Sequence, residues 1–269
     1  MTPKRFRTLV LRAYEANGRH DLPWRKTRDP YRILVSEIML QQTQVERVIP
    51  LYHAFLDAFP TVEALARAPL SQVLRAWQGL GYNRRAKMLH EAAKEIVRAH
   101  GGTLPRDIRA LEALPGIGPY TARAVAAFAY NEDVVFVETN LRTAVIHHFF
   151  PNEEQVTDAA IRAVLERALP AGDARRWYSA LMDYGAALKR SGIRTNAKSA
   201  HYAKQAHFRG SGREARGALL RALAKGPESE AYLLGILGPE RRAQLQEQLQ
   251  KLQREGLIQK ARARYRLAD

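Results

Sequence analysis

Glu37 sits in the apolar run Leu34-Val35-Ser36-Glu37-Ile38-Met39-Leu40. A carboxyl in such surroundings loses hydration, its pKa rises, and it can deliver a proton near neutrality. Gln41, Gln42, Thr43 and Gln44 follow at once. They are poor core material, but their paired donors and acceptors suit the edges of nucleobases. A second carboxyl, Glu138, follows Val134-Val135-Phe136-Val137 and precedes Thr139-Asn140. This places it at the entrance of a helix, where Thr139 or Asn140 would cap and the helix dipole would favour the ionised form. One protonated and one ionised carboxyl is the pairing that cleaves a glycosidic bond: the acid protonates the leaving group, and the carboxylate stabilises a cationic sugar or positions water. The residues also allow a plainer reading, with Glu37 a helix residue bonded to a neighbour, and their spacing alone does not bring the two carboxyls together.

Aromatic and basic side chains extend this chemistry. Trp24, Trp77, Tyr82 and Tyr120 are of a type that stacks on or wedges between bases, although Trp77 reads better as core. In Gly79-Leu80-Gly81-Tyr82, followed by Arg84 and Arg85, Leu80 and Tyr82 would open a base stack while the arginines hold phosphates. Leu114-Pro115-Gly116-Ile117-Gly118 reads as a tight hairpin between two helices. Gly116 and Gly118 would let backbone amides near Tyr120 and Thr121 meet a phosphate; an ordinary helix–helix turn is the alternative. Carbonyls of such a turn could also hold a monovalent cation. His147 and His148 are adjacent, so their rings diverge and make a poor metal pair. Tyr120 occupies the place where a lysine would form a Schiff base.

Elements of helical period must position these groups. They are expected over 3–18, 30–39, 44–58, 61–67, 70–76, 82–99, 107–114, 119–130, 138–149, 154–169 and 173–189, with 134–137 a short extended connector. The fold class is all-α to about residue 205, which divides the chain into 1–205 and 206–269. After a joint at 207–212, helices at 213–224, 228–237 and 239–255 precede strands at 257–258 and 265–267 around a basic turn, 259–264. Three helices and a ribbon make a winged-helix-like module, of a kind that often docks on DNA. From 209 to 269 there are 13 Lys/Arg and 7 Asp/Glu, a net +6. A cap over the main domain and a protein-binding tail are the other readings.

With 269 residues and 46% hydrophobic content, the chain can fill a real core. Its 43 Lys and Arg against 27 Asp and Glu favour a polyanionic partner. It has no cysteine, which excludes disulfides, thiolate nucleophiles and thiolate-held clusters. No run reaches a membrane span, and charges interrupt the N-terminal apolar stretch. A cytoplasmic, nucleoid-associated monomer is the expectation.

The sequence resembles the helix-hairpin-helix (HhH-GPD) DNA glycosylases, and most closely their adenine glycosylase branch, MutY. The matching text includes Leu22-Pro23-Trp24, the run from Ser36 to Val45, Phe59-Pro60-Thr61-Val62, Trp77, and Gly79-Leu80-Gly81-Tyr82. It continues with His100-Gly101-Gly102, Leu114-Pro115-Gly116-Ile117-Gly118, Tyr120-Thr121-Ala122, and Met182-Asp183 with Gly185-Ala186. The resemblance spans about residues 20–190 and implies two helical subdomains. It also implies a double-stranded DNA partner with a mismatched or damaged base, no cofactor, and Glu37 as the acid that protonates the adenine ring. The residue aligned with Glu138 would stabilise the cationic sugar.

Three departures stand out. The family has Asp-Gly-Asn where this chain has Glu138-Thr139-Asn140; Asp133 is a conceivable substitute carboxylate. Most relatives carry four cysteines holding an iron–sulfur cluster after the Met182-Asp183 helix, whereas here packing of Tyr202 and Phe208 would replace it. The 206–269 tail is not the Nudix-like domain with which relatives recognise 8-oxoguanine. The expected activity is monofunctional removal of a flipped, mismatched base, adenine opposite G or 8-oxoguanine. A thymine or uracil mismatch glycosylase and a catalytically impaired damage binder are the alternatives.

Overall fold

The computed structural model describes residues 1–200 and 207–269. Tyr202, expected to stand in for a cluster, lies outside the described residues. In chain order the helices begin with α1 (Pro3–Asn17), α2 (Pro30–Leu40), α3 (Val45–Ala58), α4 (Val62–Arg67), α5 (Leu70–Ala76) and α6 (Arg84–His100). They continue with α7 (Ile108–Glu112), α8 (Pro119–Tyr130), α9 (Thr139–Phe149), α10 (Asp158–Ala168) and α11 (Ala174–Arg190). The C-terminal part runs α12 (Gly212–Lys225), β1 (Glu228–Ser229), α13 (Glu230–Leu237), α14 (Arg242–Arg254), β2 (Ile258–Ala261) and β3 (Arg264–Leu267). The expected helices are present with shifted ends, and 134–137 is an extended connector outside any sheet.

Two compact units emerge, and neither is a single stretch of sequence. One comprises Met1–Glu37, Leu104–Ala113 and Ile117–Lys204; the other comprises Ile38–Thr103, Leu114–Gly116 and Gln205–Asp269. The C-terminal module therefore shares a unit with α3–α6 and is not a separate body. In the first unit, Phe6 and Val10 of α1 join Leu141, Val145 and Ile146 of α9, Ile161 and Leu165 of α10, and Trp177 and Leu181 of α11 in a closed apolar core. Their spacing of three and four residues puts them on one face of each helix, which is what drives these helices together.

Hydrogen bonds tie residues 195–200 to earlier parts of the chain. The Val156 amide donates to the Lys198 carbonyl at 2.9 Å, and Ala200 donates to the Val156 carbonyl at 3.1 Å. The Thr195 hydroxyl donates to the Thr143 carbonyl at 3.0 Å, and Lys198 Nζ donates to the Pro151 carbonyl at 2.6 Å. Phe208 does not substitute for a cluster: it is 58% exposed.

In the second unit, the C-terminal module forms a three-stranded antiparallel sheet of order β1-β3-β2. This winged-helix arrangement has one strand more than the sequence suggests, because two residues, Glu228–Ser229, pair with Tyr265 and Arg264. The expected basic turn is also shorter, since Gln259, Lys260 and Ala261 pair within the ribbon. Arg75 Nε donates to the Ala224 carbonyl at 3.0 Å and Lys87 Nζ to the Glu255 carbonyl at 2.7 Å, fastening the module to α5 and α6.

Candidate active site

Glu37 is fixed by the start of its own helix. Asp29 Oδ1 accepts from the amides of Tyr31 and Arg32 at 2.9 and 3.3 Å, capping α2. Two turns on, the helix carries Glu37 into the interior at 5% exposure. Tyr120, in the first turn of α8, donates its phenol proton to Glu37 Oε2 at 2.9 Å. The Tyr120 ring meets Phe136 edge-on at 5.6 Å, and Phe136 stacks on Tyr178 at 4.1 Å. Tyr178 in turn donates to the Val134 carbonyl at 2.7 Å. These contacts pin the extended connector that delivers Glu138.

Glu138 is itself the N-cap of α9, a role the sequence reading gave to Thr139 or Asn140. Its Oε1 accepts from the amides of Asn140 and Leu141 at 2.7 and 2.9 Å. The glutamate, one methylene longer than the aspartate of the usual cap, folds its carboxylate back onto these donors. The capped turn packs closely on α11: a Cβ on Gly185 would lie 2.1 Å from the Asn140 carbonyl oxygen. Asp133, the conceivable substitute, accepts from the Gly172 amide at 2.7 Å at an exposed position, so it is committed elsewhere.

Electrostatics separates the two carboxyls less than expected. Burial raises the Glu37 pKa to about 7; the Tyr120 hydrogen bond opposes this, the Glu138 charge adds to it, and the Arg25 charge opposes it. Burial also raises the Glu138 carboxyl above its ordinary range, outweighing the amides of Asn140 and Leu141 and the charges of Lys189 and Arg142. The helix terminus thus moderates the burial penalty without cancelling it. Tyr120, raised well above its ordinary value by burial and both glutamates, stays a neutral donor.

A network missed from sequence surrounds Arg25. Asp183 accepts from Arg25 Nη1 at 2.6 Å and Nη2 at 3.0 Å, and from the Arg19 amide at 2.8 Å and side chain at 2.6 Å. Burial pushes the Asp183 carboxyl up, but these donors outweigh it and hold its pKa below the ordinary value. The available signal was a lone acid at a core position of an apolar helix face, in Met182-Asp183.

The remaining candidates divide by exposure. Gln41 and Thr43 are half-buried and Gln42 is exposed with φ +56, while Tyr82 is 39% exposed with φ +47. Such left-handed backbone is uncommon for these residues and holds both side chains in fixed turns. Leu80, expected to wedge, is buried. Trp77 is core, its indole donating to the Gly81 carbonyl at 3.2 Å. Arg84 is exposed, but Arg85 has a different job from phosphate binding. Its guanidinium donates to the carbonyls of Ile38, Met39 and Gln41 at 2.7, 3.1 and 2.6 Å, and to those of Leu80 and Gly81 at 3.2 Å each. It thereby closes the end of α2 and shapes the turn that follows.

The hairpin needs Gly116, which has φ +72 and would place a Cβ 2.4 Å from Met88 Cβ. Gly118 has ordinary backbone but open space where a side chain would stand. The Thr121 side chain is buried, leaving its backbone as the feature of interest. His148 Nε2 lies 2.7 Å from the Tyr184 hydroxyl, and no cluster of metal-ligating side chains exists among the described residues. No helix among them is long and apolar enough to cross a membrane.

Residues 35–171 match the model of the HhH-GPD superfamily base excision DNA repair protein. The chain is 44% identical over 180 residues to an adenine DNA glycosylase of Mycolicibacterium smegmatis, covering 65% of this chain and 61% of that protein. It is 48% identical over 144 residues to an adenine DNA glycosylase of Mycobacterium tuberculosis, covering 53% and 47%. The chain thus spans about half to three-fifths of the length of these relatives. A solved structure of a thermostable thymine-DNA glycosylase superposes with a TM-score of 0.61 at 30% identity, covering 68% of this chain and 86% of that one.

Proposed function

Because the chain is a member of the HhH-GPD superfamily of base excision DNA repair proteins, we propose that it is a monofunctional DNA N-glycosylase that removes adenine from a mismatch. The observation that carries this reading is Glu37: a buried carboxyl with a pKa near 7 beside a neutral phenol donor. Tyr120 occupies Oε2, which leaves Oε1 to carry the transferable proton. Protonation of a ring nitrogen turns a purine into a leaving group that can accept the glycosidic electron pair. Glu138, its Oε1 held by two backbone amides and its Oε2 accepting from Asn140 Nδ2 at 3.4 Å, sets its charge against the cationic sugar. Water then bonds to the sugar carbon, the base departs carrying the proton of Glu37, and the proton released by water restores the acid. Tyrosine stands at the start of α8, in the place where a lysine would form a Schiff base. The product is therefore an intact strand with an abasic site.

Similarity to the thymine-DNA glycosylase across most of that chain favours a second reading, removal of a mismatched pyrimidine. A pyrimidine has no equivalent ring nitrogen for Glu37 to protonate, so adenine remains the first choice. The test incubates the protein with labelled duplexes carrying A, T, U or hypoxanthine opposite G and 8-oxoguanine, then treats them with alkali. Cleavage at adenine, and only after alkali, is the expected result. Cleavage at T or U would replace it with the second reading. Tight binding without cleavage anywhere would leave a damage-binding protein.

A further inference from the structure

The C-terminal module carries two exposed surfaces that the candidate active site leaves unused. On α14 the buried stripe is Leu245, Gln248, Leu249 and Leu252. Away from it Arg242, Gln246, Gln250 and Gln253 follow at intervals of four, four and three residues, so they share one helix face. Arg254 lies one turn beyond Gln250. Gln246 is bonded to Glu230 of α13, whereas Arg242, Gln250, Gln253 and Arg254 are exposed. At ~1.5 Å of rise per residue, the two arginines are roughly 18 Å apart along the axis. The major groove of a duplex is about 12 Å wide and admits an α-helix. Amides set between two guanidinium groups at that spacing match base edges flanked by phosphates.

The second surface follows directly. After α14 the chain turns at Gly256, φ +64, and enters the ribbon β2–β3. Between 256 and 268 it has no Asp or Glu, but it has Lys260, Arg262, Arg264 and Arg266. Ala261 pairs with Arg264 and Gln259 with Arg266. Successive strand residues face opposite ways, so both arginines stand on the face away from buried Tyr265 and Leu267. The loop at the tip holds Arg262 at φ +54, backbone that Gly or Asn adopts with less strain. Its side chain is exposed, so the strain serves no packing. Acids of the module are engaged elsewhere. Glu247, the only acid of α14, is paired with Lys251 at 2.5 Å, and Glu214 and Glu255 are paired with Arg241 and Arg216.

We propose that this module grips paired duplex DNA outside the candidate active site, with α14 in the major groove and the β2–β3 ribbon on the neighbouring phosphates. Arg242 and Arg254 bond phosphates at the groove edges, Gln250 and Gln253 meet base edges, and Arg262, Arg264 and Arg266 neutralise the backbone. None of these residues lines the cleft that α12 forms with residues 41–44 and 78–85. One-sided charge on two successive elements favours a polyanion of regular spacing.

The test uses the full chain and a fully paired duplex, which offers no base to excise, so its failure would leave the glycosylase reading untouched. Fluorescence anisotropy is followed across salt. The Arg262→Ala/Arg264→Ala/Arg266→Ala variant is expected to reduce the magnitude of the slope of log K against log salt by about 2.7, at ~0.9 per phosphate contact. Arg242→Ala/Arg254→Ala should reduce it by about 1.8. All five side chains are exposed, and thermal melting confirms that each variant folds. Because the chain has no cysteine, Gln250→Cys supplies a unique thiol for disulfide trapping. Trapping is expected on a duplex with a thiol tethered to cytosine N4, in the major groove, and not with one tethered to guanine N2, in the minor groove. A parental slope in either arginine variant would overturn the proposal, as would trapping from the minor groove alone or from neither groove. Weakened binding of single-stranded DNA with duplex binding unchanged would overturn it in favour of another polyanion.

Discussion

Glu37 in the first unit and Arg85 in the second are both charged groups taken out of water, and the consequences are opposite. Desolvation moves Glu37 up to about 7 and Arg85 down to about 10. For the carboxyl, the shift lands near neutrality, where the group still holds a proton it could give. For the guanidinium, it stops far short of neutrality, so the group stays charged and serves as a rigid clamp on five carbonyls. The same physics yields chemistry in one place and architecture in the other. What decides is how far the ordinary pKa lies from neutral.

The sharpest way to break this comparison is Glu37→Gln. It keeps the side-chain shape and an acceptor for Tyr120 but removes the proton. We expect base release to fall by about a thousandfold, within the range for a lost general acid, measured by single-turnover kinetics. Stability should move the other way. Because burial raises the Glu37 pKa in the folded state, its contribution is fully present below pH 4.5 and is lost as pH rises through about 7. Above that window Glu37→Gln should exceed the parent by up to about 3 kcal/mol, with the difference vanishing near pH 4. Urea unfolding across this range reads it. Unchanged base release, or a pH-independent stability difference, would remove Glu37 from its assigned role.

Glu138 supplies the next largest effect, because it combines both uses of a buried charge. As N-cap of α9 it is architecture; as a carboxylate beside the sugar it would be chemistry. Glu138→Ala is expected to cost about 1 kcal/mol of stability through the lost cap and about a hundredfold in rate. Glu138→Asp keeps charge and capping ability, so it should retain stability within about 0.5 kcal/mol and most of the activity. If both variants lose stability alone and keep the parental rate, Glu138 is a cap and nothing more.

These two residues also mark how far the sequence could be read. Glu37 stood out because a charged residue interrupts an apolar helical run, a signal local in sequence. The helices of both units were legible for the same reason, as were the module helices and the ribbon β2–β3. Arg85 was misassigned because an arginine after Gly-Leu-Gly-Tyr has the same spelling whether it faces phosphate or carbonyls. Its partners at Ile38, Met39 and Gln41 are more than 40 positions away. Tyr120 was identified for what it replaces rather than for the carboxyl it bonds, 83 residues distant. Leu80 looked like a wedge, but burial is decided by neighbours that no local pattern reveals. The strand β1 escaped because two residues carry no alternation to detect.

The smallest effect is the most discriminating. Tyr120→Phe removes one hydroxyl and leaves the ring edge-on to Phe136. The phenol bond stabilises the ionised form of Glu37, opposing the larger effect of burial. Its loss must therefore raise the Glu37 pKa further, not lower it. The protonated, competent acid then persists to higher pH, and the alkaline limb of the rate profile, placed near pH 7 in the parent, should move upward. At neutral pH the gain in protonated fraction is at most about twofold, because a group at its pKa is already half protonated. A mere loss of packing would lower the rate at every pH without moving the limb. An alkaline limb that stays in place would show that Glu37 is not the titrating acid, whatever the absolute rate.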